Sequence, residues 1–261
     1  MSNGRIEGIA VVTGGASGIG ADCCRELAAL GAGVVVLDRD AAQANAVAAE
    51  VGGYGWKGDV GDEAAIEACA DAIEQAHGPV EVLVNSAGVI QAPLPPEQLS
   101  MASWDEVVRI DQRGAYVASV AFGRRMAQRG RGSIVNIASI AGMRSMPLHA
   151  YAPAKAALIA MTECLAAEWG RSGVRVNAVS PGYTRTPALQ AAIDKRERDV
   201  SALVENSALG RMVEPKEVAR AVAFLASADA AAITGINLPV DCGWLVAPSW
   251  NTYGGLRPAK R

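Results

Sequence analysis

Ile9-Ala-Val-Val-Thr-Gly-Gly-Ala-Ser-Gly-Ile-Gly20 is a short apolar run that passes straight into a glycine-rich loop. A helical pattern from Ala21 to Leu30 follows and ends at Gly31. Strand, glycine loop and helix in that order build a cradle for a phosphate. The glycines let backbone approach a ligand closely, and the helix N-terminus presents N–H groups that have no partner inside the helix. A glycine-rich loop alone is often just a tight turn. Here the strand before and the helix after supply the context that the motif requires.

Working outward, apolar runs and helical patterns continue to alternate. Val34-Val-Val-Leu37 ends in Asp38, an acidic residue at the tip of the second strand. Such a carboxylate is placed to accept both ribose hydroxyls of an adenosine and to repel a 2′-phosphate, which favours NAD over NADP. The neighbouring Arg39 offers a possible phosphate partner, but the loop position that would help it holds Ser17, not a basic side chain. Asp40 is better placed than Asp38 to cap the next helix. A third strand, about Gly55 to Lys57, leads into Gly58-Asp59-Val60, and Asp62 caps a helix to about His77. Asp59 either meets the adenine amino group or orients a turn. Val80 to Val84 is a fourth strand, and the small residues of Asn85-Ser-Ala-Gly88 leave room for a cofactor to cross the strand ends.

Ser103-Trp-Asp-Glu106 reads as a capping box that opens a long helix through about Gln128. Ser133 to Ile137, Val174 to Val179 and Gly235 to Val240 supply three more strands, and Glu214-Pro215 starts another helix. Residues 187–208 are polar-rich, weakly helical and expected to be mobile. Strands and helices alternating with short links imply one doubly wound parallel sheet. Ligands on such sheets bind beyond the carboxyl ends of the strands. Gly14 to Gly20, Asp38, Asp59, Asn85, Ser139 and Pro181 all fall at those ends.

Tyr151 and Lys155 lie four residues apart at the start of the Ala-rich segment that runs to Trp169. On a helix they share one face, and Pro153 is tolerated only if that helix is just beginning. A free tyrosine, with a pKa of about 10, is a poor base at neutral pH, but a nearby ammonium favours the phenolate. Ser139, at the end of an apolar strand, is positioned to donate to a substrate oxygen.

Composition narrows the classes. A chain of 261 residues with 51% hydrophobic and 20% charged residues has the balance of a folded globular protein. A net charge of −3 gives no electrostatic reason to expect nucleic acid or anionic membrane as partner. No apolar run approaches a membrane span and the N-terminus has no signal-peptide pattern, so a cytoplasmic location is expected. Cys23, Cys24, Cys69, Cys164 and Cys242 are scattered, without metal-ligand spacing, and read as buried reduced thiols. With only His77 and His149, no metal centre is expected.

Taken in order, Thr13-Gly-x-x-x-Gly-Ile-Gly20, Asn85-x-Ala-Gly88, Ser139, Tyr151-x-x-x-Lys155 and Pro181-Gly182 resemble the short-chain dehydrogenase/reductase family, and the resemblance covers nearly the whole chain. It implies a single-domain Rossmann fold with a parallel sheet of about seven strands. That domain would span residues 1–261, with a substrate loop at about 187–211 and a C-terminal tail at about 242–261. It implies an NAD site formed by Gly14, Ser17, Gly18, Ile19, Gly20, Asp38, Asp59, Val60, Asn85, Ala87, Gly88, Pro181, Gly182, Thr184 and Thr186, completed by Tyr151 and Lys155. Tyr151 would be the acid/base, and Lys155 would favour the phenolate and hold the nicotinamide ribose. Ser139 would polarise the substrate oxygen, and Thr186 would bind the carboxamide. A homotetramer or homodimer packed through the helices at about 103–128 and 150–170 is also implied.

Two departures stand out. Asp111 occupies a position where the family usually has an asparagine that kinks the long helix and orders a water beside the lysine. A carboxylate can accept but not donate, so the relay would be altered, while its charge would keep Lys155 protonated. The Ser139–Tyr151 spacing is also one residue shorter than the commonest one, which would tighten the substrate loop. Met143, Arg144, His149, Tyr183 and the tail residues Trp244 and Trp250 are candidates for the substrate pocket. The resemblance favours NAD-dependent oxidation of a secondary alcohol, a polyol or sugar alcohol above others. The alternatives are a 3-oxoacyl thioester reductase serving acyl carrier protein, and a catalytically weak NAD-binding regulatory protein.

Overall fold

β1 (Ile9–Thr13) is buried at every residue, as an apolar run is at the centre of a sheet covered on both faces. In the computed structural model, which describes residues 4–196 and 199–258, β1 pairs in parallel with β2 (Gly33–Asp38) and β4 (Val80–Asn85). With β3 (Tyr54–Lys57), β5 (Gly132–Ile137), β6 (Val174–Pro181) and β7 (Asn237–Val240) they form one seven-stranded parallel sheet in the order β3-β2-β1-β4-β5-β6-β7. The chain order reverses at β1, and a crevice opens there beyond the carboxyl ends.

Strand residues alternate between two helical layers. Val12, Val34, Val36 and Val84 pack with α1 (Gly18–Ala29), α2 (Ala41–Val51) and α9 (Pro215–Ala226). Val11, Val35, Leu37 and Leu83 pack with α3 (Glu63–His77), α5 (Ala115–Arg129) and α6 (Tyr151–Trp169), through Ile66, Ile73, Phe122, Met126 and Leu165. Asp40 and Asp62 cap α2 and α3, accepting from the first-turn N–H groups as their sequence positions suggest.

Several boundaries differ from the sequence reading. The long helix starts at Met101, because Ser100 Oγ accepts from Ser103 N at 3.2 Å and takes the capping role expected of Ser103. Two serines three residues apart offer the same chemistry, and sequence pattern alone cannot rank them. That helix is not uniform: α4 (Met101–Val107) passes through a π-helical turn, Val108–Gly114, before α5 begins. Residues 187–208, expected to be weakly helical, hold two short helices, α7 (Pro187–Asp194) and α8 (Ser201–Glu205). The strand expected from Gly235 starts at Asn237, although Gly235 N already bonds to Val176 O at 2.8 Å. All five cysteines are free, but Cys164 is exposed and Cys242 partly so. Burial pushes the Cys24 thiol up to about 12, which leaves it inert as a nucleophile. Among the described residues, no helix is long and apolar enough to cross a membrane.

Candidate active site

The crevice beyond β1, β4 and β5 is a cleft of about 530 Å³. It is closed at one end by the glycine loop, and the loop depends on glycine. Gly14 has φ +64°, and a Cβ there would lie 2.6 Å from Ala87 Cα. A Cβ on Gly20 would lie 2.2 Å from the Gly14 carbonyl oxygen. Thr13 Oγ1 accepts from Ser86 N and Ala87 N at 3.2 and 3.3 Å, tying this loop to the one after β4. Ser17, the N-cap of α1, makes no side-chain capping bond, so first-turn N–H groups of α1 stay open toward an anion. These features fit the pyrophosphate of a dinucleotide.

Asp38 stands at the end of β2. Its Oδ2 accepts from Ala16 N at 3.2 Å and its Oδ1 from Asp40 N at 3.0 Å, which fixes the carboxylate at the rim with lone pairs to spare. Asp59 does orient a turn, accepting from Gly61 N at 2.8 Å, and Arg109 Nη1 reaches its other oxygen at 3.3 Å.

At the opposite end, Ser139 Oγ accepts from Ala141 N at 3.1 Å, so its own proton is free for an oxygen in the cleft. Lys155 is 4% exposed; its Nζ donates to Ile137 O at 2.9 Å and lies 5.4 Å from the centre of the Tyr151 ring. Asp111 sits in the π-helical turn, 1% exposed. Its Oδ1 accepts from Val89 N at 2.8 Å, and its Oδ2 is 3.2 Å from Lys155 Nζ. That second contact is an attraction of charges without hydrogen-bond alignment, and Oδ2 has no hydrogen-bond partner. Burial pushes the Asp111 carboxyl above its ordinary range, with Lys155 and the Val89 N–H pulling the other way.

Of the residues expected at the site, Gly14, Ser17, Gly18, Ile19, Gly20, Asp38, Asp59, Val60, Ala87, Gly88, Asp111, Ser139, Tyr151, Lys155, Pro181, Gly182, Thr184 and Thr186 line this one cleft. Asn85 does not. It is 3% exposed and lies beneath the floor, where Nδ2 donates to Ser119 Oγ and Asn136 Oδ1 at 2.9 and 2.8 Å, joining β4 to α5 and β5. Met143, Arg144 and His149 line a separate open recess beside the first turn of α6. Tyr183 and Trp244 pack edge to face, 5.4 Å between centroids. Val89 and Ile90 line the cleft without having been singled out in the sequence. They continue the Asn85-Ser-Ala-Gly88 run, and that continuity was the available signal.

A family model described as enoyl-(acyl carrier protein) reductase matches residues 14–245. The chain belongs to the short-chain dehydrogenase/reductase family. It is 40% identical over 249 residues to a D-threitol dehydrogenase of Mycolicibacterium smegmatis, covering 93% of this chain and 95% of that one. A crystal structure described as ribose-5-phosphate isomerase from Brucella melitensis is 54% identical, with TM-score 0.94 over 97% of this chain and 99% of that one. A gluconate 5-dehydrogenase from Burkholderia cenocepacia, in complex with NADP and tartrate, is 31% identical, with TM-score 0.87 over 94% and 98%. As a short-chain dehydrogenase/reductase the chain is an oxidoreductase that uses a nicotinamide cofactor.

Proposed function

We propose that this short-chain dehydrogenase/reductase oxidises a secondary alcohol of a polyol or sugar alcohol with NAD, and reduces the corresponding ketone in the reverse direction, with Tyr151 as the acid/base. The observation that carries the reading is the placement of Ser139, Tyr151 and Lys155 in the cleft that also holds the glycine cradle. The D-threitol dehydrogenase and gluconate 5-dehydrogenase relatives both act on polyhydroxylated molecules, which supports the substrate class.

Each side chain has a task that its surroundings allow. Ser139 donates to the substrate oxygen, its own acceptor capacity being partly taken by Ala141 N. Tyr151 removes the alcohol proton during oxidation and returns it during reduction. The Lys155 ammonium stabilises the phenolate, and the donors not used on Ile137 O are left for ribose hydroxyls. Thr186, the N-cap of α7, holds the carboxamide end. The nicotinamide, when bound, supplies the acceptor or donor of hydride. The protein contributes orientation and charge stabilisation.

The test is absorbance at the reduced-nicotinamide band, with NAD and NADP in parallel, across polyols, gluconate, simple secondary alcohols and hydroxy acids. NADH formation with polyols is the expected result. Two further arms carry rival outcomes: reduction of a 3-oxoacyl thioester, or interconversion of ribose 5-phosphate without nicotinamide, would overturn the substrate class.

Preference for NAD rests on Asp38, and the NADP held by the gluconate 5-dehydrogenase relative makes it worth testing directly. Asp38→Ala is expected to weaken NAD about tenfold, the effect of losing a charge-assisted pair of bonds, and to tighten NADP. Calorimetric titration of both cofactors reads this out. An unchanged ratio of the two affinities would remove Asp38 as the discriminating group. Assembly into two or four copies through the helices at about 103–128 and 150–170 belongs to the same reading, and Tyr116 on α5 is 49% exposed on the single chain. Sedimentation equilibrium would show it.

A further inference from the structure

Gln91 belongs to none of the sequence motifs and does not line the cleft, yet it is only 6% exposed. Its Oε1 accepts from Ala150 N at 2.6 Å and from Tyr151 N at 3.1 Å, far along the chain at the start of α6. Both partners are donors, so chemistry settles which end of the amide faces the helix: only the oxygen can accept.

A helix begins with N–H groups that no carbonyl of its own can reach. In α6 they can be accounted for one by one. Ala150, at the N-cap, has no side chain able to accept. Ala152 N bonds to Leu148 O at 2.9 Å, Pro153 has no N–H, and Ala154 N bonds to Ala150 O at 3.1 Å. The N–H of Tyr151 is left to Gln91. The loop that carries Gln91 is itself anchored two residues earlier, where Asp111 Oδ1 accepts from Val89 N at 2.8 Å. One short segment therefore links the π-helical turn, the floor of the cleft at Gly88 to Ile90, and the backbone of Tyr151.

We infer that Gln91 is a positioning residue for Tyr151, a cap supplied from the loop after β4 that sets where the phenol stands over the cleft. The inference rests on the reading of Tyr151 as acid/base. The arrangement has a cost, because Gln91 Nε2 is buried without a hydrogen-bond partner. A methionine of similar length would avoid that cost, so the two bonds made by the oxygen must outweigh it.

Gln91→Met removes the acceptor and keeps the shape, whereas Gln91→Glu keeps an acceptor. A misplacement of about 1 Å costs on the order of 100-fold in rate, so Gln91→Met is expected to lower kcat by about 10- to 100-fold. Its affinity for the nicotinamide cofactor should stay within about twofold of the parent, since Gln91 itself does not line the cleft and the glycine cradle at its other end keeps its residues. Gln91→Glu should restore most of kcat. Hydrogen exchange of a peptide spanning residues 148–154 gives a readout independent of turnover: the amides of Ala150 and Tyr151 should exchange faster in Gln91→Met and at the parental rate in Gln91→Glu. A parental kcat in Gln91→Met would overturn the inference, as would an equal loss in both variants. Tyr151→Phe, assayed alongside, separates the two levels. If it is inactive while Gln91→Met is fully active, only the positioning role falls; if it is fully active, the acid/base reading falls and takes the positioning role with it.

Discussion

Tyr151→Phe is expected to bind NAD as tightly as the parent chain while its kcat for alcohol oxidation falls about 1000-fold, within the 10²- to 10⁴-fold that a positioned acid or base supplies. The substitution removes one oxygen and leaves the ring packed against Val107, Ala150 and Ala154, so the first turn of α6 keeps its place. Lys155 retains Ile137 O and Asp111, and the glycine cradle at the other end of the cleft is untouched. The loss should therefore fall on kcat with little change in KM, the pattern of an interaction made only in the transition state. Single-turnover absorbance gives the chemical step and calorimetry gives the cofactor affinity. Retention of a tenth or more of the parental kcat would remove Tyr151 from the role and leave Asp111 and Ser139 as the acceptors at this end of the cleft.

How much of this was legible in sequence depends on the kind of interaction. The strand–glycine loop–helix unit at residues 9–31 was readable because each part has a local cause, and the parallel sheet followed from repeated alternation. Side chains that line the cleft were readable from local cues, Asp38 from its place at the tip of a strand and Lys155 from its spacing to Tyr151. Asn85 shows the limit. The same residue at the end of a strand can face a ligand or the sheet interior, and only the fold shows that its amide joins β4, β5 and α5. Gln91 was invisible for a related reason: its partners at Ala150 and Tyr151 are brought to it by tertiary packing, and no local pattern marks a cap donated from so far along the chain. The π-helical turn around Asp111 also leaves no mark in periodicity, because one extra residue per turn is lost in the scatter of an amphipathic pattern.

Lys155→Met should separate the structural and chemical sides of the buried pair. It removes an ammonium that is 4% exposed and leaves the 1% exposed Asp111 carboxyl with the Val89 N–H alone. Breaking a buried pair from one side typically costs about 3–5 kcal/mol when the remaining group stays charged. Burial already holds the Asp111 carboxyl above its ordinary range, and loss of Lys155 removes a pull in the opposite direction. A carboxyl raised in the folded state binds its proton more tightly there than in the unfolded chain. Below the ordinary value of about 4 both states are protonated and the penalty is absent; it grows as pH rises toward the folded value and is constant above it. The melting temperature of Lys155→Met should thus fall furthest below the parent at neutral pH and recover toward the parent in acid. Adding Asp111→Asn to Lys155→Met should flatten that profile and restore stability, yet kcat should stay about 100-fold or more below the parent, because no cation remains to favour the phenolate. Asp111→Asn alone keeps the cation and removes a carboxylate that partly cancels its field, so its kcat is expected to equal or exceed that of the parent. A double variant that regained activity would reduce Lys155 to a partner for Asp111. A stability deficit in Lys155→Met that did not vary with pH would mean that the stranded carboxylate is not its cause.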